Sequence, residues 1–165
     1  MAKKAVIAII MGSDSDLQVM MEAKKILDDY GVPSDVKILS AHRSPEDAVR
    51  FANSARKSGY KIIIAGAGAS AHLAGVVASH TTLPVIGVPM ETRELKGVDS
   101  LFSTVQMPAG IPVATVAIGR AGAKNSAILA LEILGITDKR IAKRLEAHKK
   151  TMAEGVREKN KTIKF

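Results

Sequence analysis

The sequence predicts a three-layer α/β fold in which helices cover both faces of a parallel, doubly wound sheet. Three observations carry that prediction. Short apolar runs recur along the chain and read as strands. Segments with apolar residues at helical spacing alternate with them. Gly, Pro, Ser and Asp mark the junctions between the two. Strands alternating with helices pair in parallel, because each crossover returns the chain to the same end of the sheet.

The first strand is Ala5 to Met11, apolar throughout, as expected for a strand buried on both faces. It follows Met1-Ala2-Lys3-Lys4, but it is short and runs into Gly12-Ser13-Asp14 without a small-x-small cleavage site, so a buried strand is the better reading than a secretory signal. Val19, Met20, Ala23, Ile26, Leu27 and Tyr30 then fall at helical spacing, and Gly31 and Pro33 end that helix. Asp35-Val36-Lys37-Ile38 alternates, which suits a strand near a sheet edge. Ser44 reads as an N-cap, with Pro45 at the first helical position and Asp47 in the first turn. Ala48, Phe51, Ala52 and Ala55 form that helix's apolar face. Lys61–Ala65, Val85–Val88 and Val113–Ile118 are strands three to five. Helices are expected at 71–80, 98–106 and 121–134, with Gly135 as a C-cap. A last helix starts near Thr137 or Asp138, with Ile141, Leu145, Met152 and Val156 as a thin apolar stripe. Five such units suggest an open sheet of flavodoxin-like order, 2-1-3-4-5, with the C-terminal helix as an addition. The chain reads as one domain, with an α/β core over 1–136 and a basic helix over 137–165 that packs on a neighbouring subunit.

A chain of 165 residues, 47% of them apolar, is long enough to bury one sizeable core. It has no cysteine, which excludes disulfides, thiolate nucleophiles and thiolate metal sites. No apolar run approaches membrane-spanning length, so no membrane partner is expected and the default location is the cytoplasm. The net charge of +8 is concentrated in the tail: residues 139–165 carry ten Lys or Arg against three Glu, while the preceding 138 residues are nearly neutral. With only 3% aromatic residues to stack on bases, a solvated helical face is preferred and no nucleic-acid partner is expected.

In doubly wound sheets ligands bind beyond the carboxyl ends of the strands, where strand order reverses. That point lies between strands 1 and 3, and the loops after strands 1 to 3 are also the least ordinary segments. Gly12-Ser13-Asp14-Ser15-Asp16 offers hydroxyls and helix-terminal amides that suit a phosphate, with Asp16 able to accept from ribose hydroxyls; capping alone explains the same residues equally well. Ser40-Ala41-His42-Arg43 places a histidine that moves protons near neutral pH beside an arginine that grips phosphate or carboxylate with two parallel bonds. Gly66-Ala67-Gly68-Ala69-Ser70-Ala71-His72 lets a ligand rest against backbone, although close packing also wants small residues, and His72 orients a ligand or caps the next helix. His80 and His148 show no chelating pattern, and no Walker loop, dinucleotide fingerprint or nucleophile elbow is present. Residues 97–103 and 106–112 look over-specified for plain loops and suit a pocket wall or a subunit contact.

Together these segments resemble the N5-carboxyaminoimidazole ribonucleotide mutase family of purine biosynthesis, in its bacterial class I form. The resemblance runs from Val6 to about Leu134 and includes Met11–Asp16, Ser40–Arg43, Ala65–Gly68, Ala71-His72-Leu73, Pro84–Pro89, Asp99-Ser100-Leu101, Val105–Pro108, Ala117-Ile118-Gly119 and Ala121–Asn125. It implies an enzyme without metal or organic cofactor, a homo-octamer, and a small-molecule nucleotide substrate. The carbamate of the substrate loses carbon dioxide, which stays in the pocket and is attacked by ring carbon 4. His42 corresponds to the general acid/base, and an imidazole with an ordinary pKa of ~6.5 suits both proton transfers. Ser13, Asp16 and Arg43 correspond to nucleotide-binding residues, with Asp16 on ribose and Arg43 with serine hydroxyls on phosphate. Ser15, Ser40, Ala67 and Gly68 correspond to pocket walls and His72 to a second contact. The family pattern reads Gly-Gly-Ala-Ala-His-Leu-Pro-Gly-Met where this chain has Gly68-Ala69-Ser70-Ala71-His72-Leu73-Ala74-Gly75-Val76, and the segment Met90–Leu95 is more charged than the pattern.

Two rival readings address the same residues. A class II carboxylase would take aminoimidazole ribonucleotide and carbon dioxide directly. A non-enzymatic flavodoxin-like module fits less well: strand 3 ends in Ala65-Gly66 where a phosphoacceptor needs aspartate, and few aromatics are available to stack a flavin.

Overall fold

The computed structural model describes residues 4–163. Its strands are β1 (Ile7–Met11), β2 (Ser34–Ile38), β3 (Ile62–Ala67), β4 (Val85–Pro89) and β5 (Ala114–Thr115). They pair in parallel in the order β2-β1-β3-β4-β5, the order expected from the sequence. Central β1 is apolar because it is walled on all sides: every residue from Ile7 to Met11 is fully buried. Edge strand β2 alternates because one flank is open, and Tyr60 Oη donates to Asp35 on it at 2.5 Å.

The helices are α1 (Leu17–Asp29), α2 (Pro45–Ala55), α3 (Leu73–Ser79), α4 (Val98–Val105), α5 (Gly119–Gly135) and α6 (Lys139–Thr162). Alternate residues along a strand face opposite sides of the sheet. Ala8, Ile10, Ile63, Ala65 and Val85 meet Ala48, Ala52 and Ala55 of α2 and Leu73, Ala74 and Val77 of α3. Gly87 points the same way, toward Thr104 of α4 and Ala74. Gly66 and Val88 face the other side, toward Met20 of α1 and Gly122 of α5. The small residues on α2 and α3 let both helices lie close to the strands, so the loops at their N-termini converge over the sheet's carboxyl edge.

Most element ends fall within two residues of the sequence expectation, and the length of β5 and the role of the Ser44 hydroxyl depart from it. β5 is Ala114–Thr115 and not Val113–Ile118, because it pairs on one side only and the chain then turns to start α5. Ser44 occupies the N-cap of α2 but its hydroxyl does not cap the helix; it bonds the Ser40 backbone N–H and C=O instead, both at 3.3 Å. Ala74 lies within α3 and is buried in the core.

By backbone packing the chain divides into two units, Met1–Ile128 and Leu129–Phe165. The first contains the sheet with α1–α4 and the start of α5. In the second, Asp138 caps α6 by accepting from Arg140 N–H at 2.9 Å. Ile141 and Leu145 are buried, and every residue from Glu146 to Ile163 is exposed, Met152 and Val156 included. No helix among the described residues is long and apolar enough to cross a membrane.

Candidate active site

The carboxyl ends of β1 to β4 open onto a cleft of about 470 Å³. It brings together all nine residues singled out from the sequence: Ser13, Ser15 and Asp16; Ser40, His42 and Arg43; Ala67, Gly68 and His72. The cleft sits at the point where β1 has β2 on one flank and β3 on the other, which is where the strand order reverses.

The first loop is a 3₁₀ turn, Asp14–Asp16, whose N-cap Ser13 accepts from the Ser15 N–H at 3.3 Å. It is pinned to β3 because Gly12 N–H donates to the Gly66 carbonyl at 3.1 Å. The second loop wraps on Ser40, whose hydroxyl accepts from Arg43 N–H at 3.0 Å. The Arg43 guanidinium reaches across to the first loop and donates from Nη2 to the Gly12 carbonyl at 2.9 Å. Arg43 therefore fixes two loops to each other while it lines the cleft.

The third loop brings His72 to His42, 30 residues away in sequence, with Nε2 of His42 and Nδ1 of His72 2.8 Å apart. Their rings stand nearly perpendicular, at 85°. One ring nitrogen donates and the other accepts, according to the tautomer each imidazole adopts. His72 occupies the N-cap position of α3, yet its side chain makes no capping bond. The ring instead meets His42 at the cleft lining.

Burial raises the Asp16 carboxyl above its ordinary range, outweighing the lowering by the Ser15 hydroxyl, the Ser13 backbone and Arg43. A raised carboxylate favours folding most below its ordinary pKa of ~3.9, and that contribution is lost as pH climbs through the raised value. At neutral pH charged Asp16 is therefore a cost to the fold. Asp16→Asn is expected to melt higher than the wild type at pH 7, with the gain vanishing toward pH 3. Equal melting temperatures of the two proteins at pH 7 would contradict this.

The sequence reading missed the segment after β4. Met90, Glu91, Thr92, Arg93 and Glu94 all line the cleft. The switch point lies between β1 and β3, and the parallel order carries the end of β4 to the same edge. The unusual charge of this segment was the available signal. His80 ends α3 far from its N-terminal His72, and His148 lies exposed on α6. No group of three or more His, Asp or Glu among the described residues is arranged to hold a metal.

The family model described as AIR carboxylase matches residues 6–155. The chain belongs to that family. Among its relatives, the N5-carboxyaminoimidazole ribonucleotide mutase of Pyrococcus horikoshii is 54% identical over 162 residues, 98% of this chain and 90% of that protein. The mutase of the same name from Escherichia coli is 50% identical over 152 residues, 92% of this chain and 90% of that protein. The crystal structure of Treponema denticola PurE superposes with a TM-score of 0.87 at 29% identity, covering 96% of this chain and 98% of that one. The cleft is lined by two imidazoles, a guanidinium, hydroxyls and a wall of small residues.

Proposed function

We propose that this chain converts N5-carboxyaminoimidazole ribonucleotide to 4-carboxyaminoimidazole ribonucleotide, with His42 as general acid and base. The observation that carries the site assignment is the His42–His72 hydrogen bond inside the cleft, beside Arg43. Family membership and relatives named as mutases at 50–54% identity support the activity itself.

The steps balance within one substrate. The carbamate C–N bond breaks, carbon dioxide leaves, and the nitrogen takes a proton from His42. Ring carbon 4 then attacks the retained carbon dioxide to form the C–C bond. Neutral His42 removes the proton from that carbon and returns to its starting state. No metal or organic cofactor enters the scheme. Arg43 with the Ser13 and Ser15 hydroxyls holds the phosphate, Asp16 accepts from ribose hydroxyls, and Ser40, Ala67 and Gly68 wall the pocket. His72 fixes the His42 ring for both transfers. His72→Asn is expected to lower kcat about tenfold and alter its pH profile, a smaller loss than removal of the transferring group itself.

The same reading includes a cytoplasmic homo-octamer in which α6 packs on a neighbouring subunit. The exposed apolar residues Met152 and Val156 on α6, and Val98, Phe102 and Val105 along one side of α4, support burial against other copies. Light scattering should give the mass of eight chains.

Supplying each substrate separately tests the activity. Turnover of the carbamate without added bicarbonate is the expected result. Turnover only with aminoimidazole ribonucleotide and high bicarbonate would make the chain a carboxylase of the class II type.

A further inference from the structure

Residues 97–103 stand out in the sequence, yet none of them lines the cleft. Their hydrogen bonds explain what they do. Ala69, in the cleft wall, has φ of +54°, a left-handed conformation that a residue with a β-carbon adopts only when its surroundings hold it there. Its N–H donates to Ser100 Oγ at 2.9 Å. Its carbonyl accepts from Ser103 Oγ at 3.3 Å and from Ala71 N–H at 2.8 Å. Ser100 is fully buried, so this acceptor is not in competition with water.

The same turn of α4 also holds the next wall. Thr92, which lines the cleft, donates from Oγ1 to Asp99 at 2.7 Å and accepts from Gly97 N–H at 2.9 Å. The turn itself has little freedom to move. Thr104 lies against Gly87 of β4 so closely that a β-carbon there would come 2.4 Å from Thr104 Cγ2.

We propose that Ser100 is a positioning residue that clamps Ala69 in its left-handed conformation and so sets the cleft wall formed by Gly68, Ala69 and Ser70. The clamp is needed because this chain has alanine at 69. Glycine would adopt the same φ without help. The kinetic consequence rests on the mutase reading; the clamp itself does not.

A double-variant cycle tests the proposal. Ser100→Ala is expected to lower kcat for the carbamate substrate about tenfold or more, because a wall displaced by a fraction of an ångström spoils the retention and approach of the reacting groups. KM should move less than about threefold, since Arg43 and Ser13 sit on other loops. In an Ala69→Gly background the same substitution should cost no more than about twofold. An equal kcat loss in both backgrounds overturns the proposal. So does a Ser100→Ala enzyme that melts lower but keeps both kinetic constants per folded molecule. Should Ser100→Ala not fold, Ser100→Cys, with its weaker acceptor, takes its place in the cycle. A wild type without turnover of the carbamate counts against the mutase reading alone. The clamp is then read from hydrogen exchange at the Ala69 amide, slow in the wild type and fast in the Ser100 variant. An equally slow amide in the variant overturns it.

Discussion

His42→Asn is expected to give a folded protein that binds the ribonucleotide but turns it over at least about a hundredfold more slowly. The fold should survive because His42 is exposed on a loop and contributes nothing to the buried core. Binding should survive because the groups assigned to the nucleotide, Ser13, Asp16 and Arg43, are held by bonds that do not involve His42. An asparagine can still hydrogen-bond to His72, so local geometry is disturbed little. It cannot accept and return a proton near neutral pH, and the mechanism requires both transfers. Steady-state assay with the carbamate, together with calorimetric titration of nucleotide, separates these effects. Near-normal kcat would remove His42 from its role, whereas lost binding with lost turnover would make it an anchor.

Gly122→Ala should be the most damaging single substitution to the fold. A β-carbon at Gly122 would lie 1.6 Å from the Ala117 carbonyl oxygen, 2.7 Å from its carbon and 3.3 Å from Val88 Cγ1. The obstruction is backbone in the connection from β5 to α5, so no side-chain rotation relieves it. The chain must move between β5 and α5, and the expected loss exceeds about 4 kcal/mol. Gly66→Ala gives the contrast. Its added carbon would meet Met20 Sδ and Met90 Cε, both at 2.6 Å, which are the ends of flexible side chains. A loss of about 1–3 kcal/mol is expected there. Urea denaturation of the two variants measures the difference, and equal losses would contradict the distinction between backbone and side-chain obstruction.

The sheet was legible because its strands are short apolar runs with nowhere to go but a buried parallel ladder, as Ile62-Ile63-Ile64 shows. Topology then located the cleft, since three atypical loops fell at one edge. Contacts between residues distant in sequence were not legible. The partnership of His42 with His72 depends on how α2 and α3 pack, and nothing in either loop names the other. Ser44 illustrates the limit of local rules: it stands at the N-cap, but loop closure on Ser40 takes its hydroxyl. The end of β5 depends on its pairing with β4 alone, and the place of Met90–Glu94 in the cleft on the parallel order that brings β4 to the same edge.

The central claim is that one carboxyl group moves within one bound substrate. Carbamate labelled with carbon-13 at its carboxyl group, turned over in excess unlabelled bicarbonate, tests it most directly. The account predicts a product whose ring carboxylate keeps the label. A product carrying unlabelled carbon from the bicarbonate, formed as fast as the substrate is consumed, would contradict it.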